Sequence, residues 1–206
     1  MQKFALYVFT VITCLSLGVA AIGATDSSVS VTIKDARGLP VQDAVVMIYP
    51  KTVTNKSMRF GPSVMAQRDL AFAPGTLIAA KGSSVSFPNF DRVRHSVYSF
   101  SKAARFEINL YGKDQSRSQK FPIVGSVALG CNIHDNMRGY IKVVDTPFAA
   151  KTDRNGVVNF NGLTVGAATV KIWHPQARAA NNEVAFNTSL NAGGNERRYT
   201  MNVRQD

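Results

Sequence analysis

The sequence predicts an all-β protein. Short runs rich in Val, Ile and Phe recur between turn signals, and no long window keeps the 3.6-residue period of an amphipathic helix. Three turn signals are clear: Lys81-Gly82-Ser83, Asp153-Arg154-Asn155-Gly156 and Val165-Gly166-Ala167. Short strands separated by such turns are typical of β-sandwiches and barrels.

Residues 1–24 have the pattern of an export signal. Lys3 gives a positive start, the following residues to Ala24 carry no charge, and the run ends in small residues before a polar stretch. We predict cleavage after Ala24, with Ala20 or Ala21 as alternatives, and a periplasmic mature protein without stable membrane insertion. An uncleaved membrane anchor is the competing interpretation, because the apolar stretch is barely long enough to span a bilayer.

The charge balance restricts the partners. The net charge is +11 and falls to +10 when Lys3 is removed with the signal. Lys and Arg are spread along the chain without a dense cluster, and an exported protein meets little nucleic acid. We therefore expect no nucleic-acid partner. An acidic protein or an anionic membrane surface fits better, and a role in solubility alone remains open. About 180 residues then remain, enough for one large or two small domains.

The strands are predicted one by one from apolar runs of four to eight residues bounded by turns. Residues 51–63 and 112–120 are expected to be polar connections. Val124–Cys131 and Tyr140–Val144 are expected to be antiparallel neighbours joined by a short loop. The complete set of predicted strands is Val29–Ile33, Ala44–Tyr49, Leu77–Ala80, Ser84–Phe87, Val93–Phe100, Phe106–Leu110, Val124–Cys131, Tyr140–Val144, Ala149–Lys151, Val157–Phe160, Ala168–Trp173 and a last edge strand at Arg198–Val203.

The run from Cys131 to Tyr140 carries the chemistry. Cys131, His134 and Met137 lie at positions i, i+3 and i+6. Two His and one Cys with a weak axial Met form the mononuclear electron-transfer copper set, so this run supplies three of four ligands and one more His is needed. Loss of Cys14 with the signal leaves Cys131 as the only cysteine, which is then a ligand, a reactive thiol or an inert buried side chain.

A resemblance to a known family rests on two segments. Residues 87–98, Phe-Pro-Asn-Phe-Asp-Arg-Val-Arg-His-Ser-Val-Tyr, resemble the first-ligand region of the cupredoxins, the plastocyanin and amicyanin family. The spacing Cys131-x2-His134-x2-Met137 resembles the copper loop of amicyanin. The resemblance covers residues 64–145 and implies a cupredoxin Greek-key β-sandwich. It also implies one type 1 copper ion, with His95, Cys131 and His134 as equatorial ligands and Met137 as the axial one.

The chain is more closely similar to cupredoxin-like methylamine utilization proteins, which also carry the Trp-His-Pro seen at residues 173–175. There are departures from the cupredoxin pattern. Ser96 stands where many cupredoxins have Asn, and Ile133 and Asp135 replace prolines of the amicyanin loop. These changes bear on the rigidity of the site and therefore on its potential.

The flanks resemble a second family. Residues 31–46 are similar to the opening strands of transthyretin-like, carboxypeptidase-regulatory-type sandwiches, and residues 152–163 resemble a later hairpin of the same type. We therefore expect residues 27–50 plus 146–206 to form a second sandwich that the cupredoxin unit interrupts.

The resemblance implies a blue copper protein that carries single electrons and is not an enzyme. We expect Phe90, Phe100 and Ile133 to form an apolar shell and His134, the more exposed ligand, to be the electron exit. The partner would be a redox protein, possibly acidic, such as a c-type cytochrome or a dehydrogenase. It would dock on the basic residues Arg92, Arg94 and Arg138.

Two other functions remain open at this point. One is a periplasmic copper-binding or delivery protein, and the other is an exported β-sandwich interaction module with a structural copper ion. A binuclear copper centre is excluded because it needs two cysteines in one loop. His174 is either a second metal ligand or a hydrogen-bonded histidine at a sandwich edge.

Overall fold

The computed structural model describes residues 26–52 and 56–204, so the predicted export signal lies outside the described residues. The described residues form sixteen strands and one short 3-10 helix, Ala180–Asn182, and the predicted all-β class is confirmed. The strands are β1 (Asp26–Lys34), β2 (Val45–Pro50), β3 (Ala66–Arg68), β4 (Ala71–Ala73), β5 (Thr76–Ala80), β6 (Ser84–Pro88), β7 (His95–Ser101), β8 (Ala104–Tyr111), β9 (Ser116–Lys120), β10 (Gly125–Gly130), β11 (Arg138–Val144), β12 (Phe148–Lys151), β13 (Val157–Thr164), β14 (Gly166–Trp173), β15 (Glu183–Leu190) and β16 (Gly193–Thr200).

The two ends of the described chain build one sandwich, the outer unit. Its first sheet has the order β13-β1-β16 and its second the order β12-β2-β14-β15. The inward side chains of both sheets share one hydrophobic core, which includes Val31, Ile48, Phe160 and Ile172. Strand β1 pairs with β16 in parallel, so the first and last strands of the unit are direct neighbours.

The sequence of strand β2 is apolar at successive positions and does not alternate with polar residues. Val46 and Ile48 face the core of the outer unit, whereas Val45 and Met47 face a second cluster that contains Val144 of β11. Since successive side chains of a strand point to opposite faces, a strand buried on both faces must be apolar at every position. Strand β1 is covered on one face only and alternates between apolar and polar residues.

The middle of the chain builds the inner unit. It contains a five-stranded sheet of order β5-β11-β10-β7-β8 and two smaller pairings, β3-β4 and β6-β9. Its separate core includes Phe87, Val97, Phe121 and Ile141, and it also contains Cys131 and Met137. The predicted antiparallel pairing of the strands before and after the ligand loop is confirmed, since β10 and β11 pair from Gly125–Val143 to Gly130–Arg138. The predicted limits of the units, 64–145 for the inner one, stay a prediction.

A partly buried ion pair joins the two units. Lys142 of β11 has a side chain only 5% exposed, and its Nζ lies 2.7 Å from Glu183 Oε2 of β15. The same ammonium lies 5.6 Å from the ring centroid of Trp173, which in turn packs edge-on against Tyr140. An ammonium that leaves water needs such an acceptor and such an aromatic face to offset its desolvation.

Five strands differ from the sequence prediction. Residues 112–120 were expected to be a polar connection, but β9 occupies part of this segment and pairs with β6. The β3–β4 hairpin and β15 were not predicted, and β16 begins before the predicted edge strand. All of these strands are short or lie at an edge and present polar side chains to solvent, so they lack the apolar runs on which the prediction depends.

The described part of the chain includes no helix with the length and apolar character needed to cross a membrane.

Replacing Lys142 by Met tests the junction. Methionine keeps the apolar stem against Trp173 but leaves Glu183 without its closest cation, so we expect the free energy of unfolding to fall by about 1–3 kcal/mol. Urea unfolding can be followed by the fluorescence of Trp173, the only tryptophan of the chain. Lys171→Met is the matched control, since Lys171 is 41% exposed and lies 3.7 Å from the same carboxylate, and it should cost less than about 1 kcal/mol. Equal costs would contradict a special role for Lys142.

Candidate metal centre

Two backbone segments build the site. His95 is the first residue of β7, and Cys131 follows the last residue of β10. The two strands are antiparallel neighbours with Gly130 opposite Tyr98, which places the start of β7 beside the end of β10. A side chain at position 130 would clash, because a Cβ on Gly130 would lie 2.5 Å from Tyr98 Cζ.

An irregularity in the pairing of β7 with β8 places two consecutive side chains, His95 and Ser96, toward the loop. The pairing of β7 with β8 shifts between His95 and Val97, and His95, Ser96 and Val97 are all buried. An extra residue in one strand interrupts the alternation of faces and redirects a side chain. The predicted strand Val93–Phe100 begins two residues too early, since Val93 is exposed and β7 begins at His95.

Three candidate ligand atoms converge at this point. His95 Nδ1 lies 3.1 Å from His134 Nδ1, and Cys131 Sγ lies 3.8 Å from each of these two nitrogens. His95 is 0% exposed and Cys131 is buried, whereas His134 is only partly buried. Within residues 26–52 and 56–204, this is the one group of three or more His, Cys and carboxylate side chains arranged closely enough to hold a metal ion.

The dimensions of this triangle fit one metal ion. A point in the plane of the three atoms at about 2.0 Å from both nitrogens lies about 2.2 Å from the sulfur, close to the zinc–imidazole and zinc–thiolate bond lengths of about 2.0–2.1 and 2.3 Å. Two imidazoles and a thiolate arranged trigonally are the donor set and geometry of mononuclear copper sites. The residues present therefore fit the copper ion that the sequence predicts.

Met137 closes the loop and enters the core. Its backbone N–H donates a hydrogen bond of 2.9 Å to the carbonyl oxygen of His134, so the loop from 131 to 137 ends in a tight turn. Its side chain is buried in the same cluster as Cys131. The role of Met137 as axial ligand stays a prediction.

Ser96 ties the ligand strand to the ligand loop. Its Oγ accepts a hydrogen bond of 2.9 Å from the backbone N–H of Asn132 and lies 3.8 Å from Cys131 Sγ, within reach of a donated O–H···S bond. Ser96 therefore cross-links the two segments, although its side chain is shorter than the Asn that many cupredoxins have at this position.

Asp91 contacts His95 from the side away from the sulfur. His95 Nε2 lies 2.8 Å from Asp91 Oδ2. Burial raises the pKa of the Asp91 carboxyl, but hydrogen bonds from His95 and from the backbone N–H groups of Leu70 and Asp69 lower it by more, so the pKa lies below its ordinary value. The carboxylate is thus ionised at neutral pH. Asp91 was not predicted as a site residue, although a carboxylate four residues before a predicted ligand is a usable sequence signal.

A buried network supports the segment that leads to His95. The side-chain amide of Asn89 donates to the carbonyl oxygens of Val93 and Tyr111 at 2.9 and 3.1 Å. Tyr111 donates its O–H to the carbonyl oxygen of Phe87 at 2.8 Å, and burial raises the pKa of this phenol to about 12. The phenol therefore stays neutral and keeps its proton for this hydrogen bond.

Other predicted residues lie outside the triangle. Arg92, Arg94 and Arg138 are exposed on the segments that carry the ligands, and their docking role stays a prediction. Phe90 and Ile133 are about half exposed and Phe100 is 71% exposed, so the expectation that these three form an apolar shell is wrong. Apolar cover on the sulfur side comes instead from the core of the inner unit, which includes Phe72 and Phe87.

His174 is not part of the triangle. It follows β14 in the outer unit, where its Nδ1 accepts a hydrogen bond of 3.2 Å from the backbone N–H of Gln176. The interpretation as a hydrogen-bonded histidine at a sandwich edge agrees with this position.

Comparison with known proteins gives a partial likeness of fold. No family profile matches the chain, and no curated protein matches it. Among solved structures, a reduced tryptophan-to-tyrosine variant of amicyanin is 20% identical over 48% of this chain and 98% of its own, with a TM-score of 0.38. A copper-containing nitrite reductase from Thermus scotoductus SA-01 is 23% identical over 47% of this chain and 25% of its own, with a TM-score of 0.39. A purple cupredoxin from Nitrosopumilus maritimus is 17% identical over 39% of this chain and 98% of its own, with a TM-score of 0.36.

Replacing Ser96 by Ala tests the cross-link without using metal. The Asn132 N–H loses its acceptor, so we expect the free energy of unfolding of the metal-free protein to fall by about 0.5–1.5 kcal/mol and the Asn132 amide to exchange its hydrogen faster. Ser118→Ala is the control, since Ser118 is exposed on β9, and it should stay within about 0.5 kcal/mol of the parent. Unchanged amide exchange at Asn132 would contradict the cross-link.

Proposed function

We propose that this protein is a periplasmic type 1 copper protein that carries single electrons between redox partners. The observation that carries the proposal is the triangle of His95 Nδ1, His134 Nδ1 and Cys131 Sγ, whose dimensions fit one trigonal metal ion. A thiolate and two imidazoles on a rigid scaffold suit a copper ion, which supplies one-electron redox chemistry. The export pattern of residues 1–24 supports the periplasmic location.

The chain's own residues would keep the donor atoms in place in both redox states. His95 is held by a strand and by Asp91, and the loop from Cys131 to Met137 is closed by its own turn and tied to β7 through Ser96. Electron transfer is fastest when neither oxidation state requires the ligands to move, so this bracing favours a carrier over a site that must release its ion. A delivery protein would gain nothing from a buried and doubly braced ligand.

The exposed edge of the site would be the electron exit. His134 is the only one of the three ligands that is not fully buried, and Ile133 beside it is exposed. Phe90 and Val93, on the segment before His95, are also exposed, with Arg92 and Arg94 next to them. An apolar surface with a basic rim suits transient docking of an acidic redox protein, such as a c-type cytochrome or a dehydrogenase.

The absorption spectrum of the copper-loaded, oxidised protein tests the centre. Direct thiolate ligation should produce a strong visible thiolate-to-copper band, and Cys131→Ser and His95→Ala should abolish it. His174→Ala is the control, because His174 lies in the outer unit and should leave the band unchanged. A colourless protein that binds only Cu(I) would reject the carrier and favour copper delivery.

Charge reversal tests the docking surface. We expect Arg92→Glu, Arg94→Glu and Arg138→Glu, combined, to slow oxidation of the reduced copper-loaded protein by an acidic c-type cytochrome by roughly tenfold or more at low ionic strength. Stopped-flow measurements at low and high salt should show the difference shrinking as salt screens the charges. Arg154→Glu, on the exposed β12–β13 turn of the outer unit, is the control. An unchanged rate in the triple variant would reject this docking surface.

A further inference from the structure

We propose that Asp91 is a positioning residue that selects the tautomer of His95 and lowers the reduction potential of the centre. This inference rests on the proposed copper function for its redox part, but its structural part concerns the metal-free protein. Asp91 is neither in the ligand triangle nor among the residues that the ligand pattern predicts. Its carboxylate nevertheless makes a direct side-chain contact with a candidate ligand.

The tautomer follows from the hydrogen bond. Both Asp91 carboxylate oxygens accept hydrogen bonds from backbone N–H groups, so this side chain acts as an acceptor, and the proton of the neutral His95 imidazole lies on Nε2, 2.8 Å from Asp91 Oδ2. The other nitrogen, Nδ1, then presents its lone pair toward Cys131 and His134, on the side where a metal would bind. With the opposite tautomer, a proton would occupy the place of the metal. The Asp91 contact therefore prepares the site before any ion arrives.

Asp91 is itself held by a turn that needs it. The β3–β4 hairpin turns at Asp69 and Leu70, and both residues have positive φ, 55° and 59°. A bulky residue such as Leu rarely adopts this conformation. The two carboxylate oxygens accept hydrogen bonds from these two backbone N–H groups, at 2.7 Å from Asp69 and 3.1 Å from Leu70. The Asp91 carboxylate thus accepts the hydrogen bonds of a strained turn and also orients the His95 imidazole. Each of these contacts restrains the carboxylate in the position that the other contact needs.

The direction of the redox effect follows from charge. An anionic acceptor on Nε2–H makes the imidazole a stronger electron donor through Nδ1. A stronger donor, and a nearby negative charge, stabilise Cu(II) more than Cu(I), which lowers the potential. The hydrogen bonds from the turn withdraw part of that negative charge, so the β3–β4 turn moderates the effect of Asp91 on His95.

The redox test compares Asp91→Asn with Asp135→Asn. The first variant removes the charge at His95 with little change in shape, and the second removes one carboxylate from the exposed part of the ligand loop. We expect Asp91→Asn to weaken Cu(II) binding about tenfold more than Cu(I) binding, which raises the potential by about 59 mV for a one-electron couple. Asp135→Asn should change the potential by much less, and Asp91→Glu should restore part of the parent value. Equal shifts in the two Asn variants would overturn the redox part.

The tautomer test needs no copper. Imidazole ¹⁵N chemical shifts of the metal-free protein, recorded at alkaline pH so that the rings are neutral, should show the His95 proton on Nε2 and not on Nδ1, with slow hydrogen exchange at that position. Asp91→Ala should release this proton to fast exchange and allow both tautomers. The variant is made in a Leu70→Gly background, because glycine adopts positive φ without a supporting carboxylate and the turn then stays folded.

The two results separate the two proposals. A His95 tautomer and exchange rate that do not change between Leu70→Gly and Leu70→Gly/Asp91→Ala would overturn the positioning role. Absence of a thiolate-to-copper band in the parent protein would reject the copper function, and the tautomer measurement would still decide whether Asp91 positions His95.

Discussion

The site depends on the pairing of β7 with β10 in one register. With Gly130 opposite Tyr98, Cys131 and Asn132 continue alongside Val97 and Ser96, and His95 reaches the loop beyond the strand end. A slip of one residue would turn the side chains of β10 to the opposite face and separate the sulfur from the imidazole. The bare backbone of Gly130 allows the Tyr98 ring to lie across it, so this small contact helps to set where the ligands meet.

The two imidazoles of the triangle have unlike surroundings. His95 is enclosed by strands and held on its far nitrogen by an anion, whereas His134 stands on a seven-residue loop and is partly open to solvent. The sulfur between them is buried and approached by one hydroxyl. The triangle is therefore held rigidly at His95 and is accessible to solvent at His134. This division supports the proposed function, in which His95 would anchor the ion and His134 would exchange electrons with a partner.

Much of this arrangement can be predicted from the sequence, and the reasons for the failures are physical. Cys131 and His134 can be recognised because they share a short loop, and β1 and β2 because apolar side chains mark their buried faces. His95 required a family resemblance, since it lies 36 residues before Cys131 and no local pattern connects them. Strands β9 and β15 lack a fully apolar face, and the contacts of Asp91 and Ser96 depend on tertiary approach. Phe100 was expected in the apolar shell of the site, but it lies on the solvent face of β7, where its ring contacts Tyr98 and Arg105.

The parallel pairing of β1 with β16 has a consequence for the order in which the chain acquires its structure. During synthesis, all strands of the inner unit, from residue 66 to residue 144, emerge before β16 exists. The inner sheet can complete its hydrogen bonds while one edge of β1 still lacks its partner β16, since β13 pairs only with the other edge. The edge of β1 that pairs with β16 therefore stays unpaired until more than 150 residues of chain have followed, and an unpaired strand edge is a site for premature association.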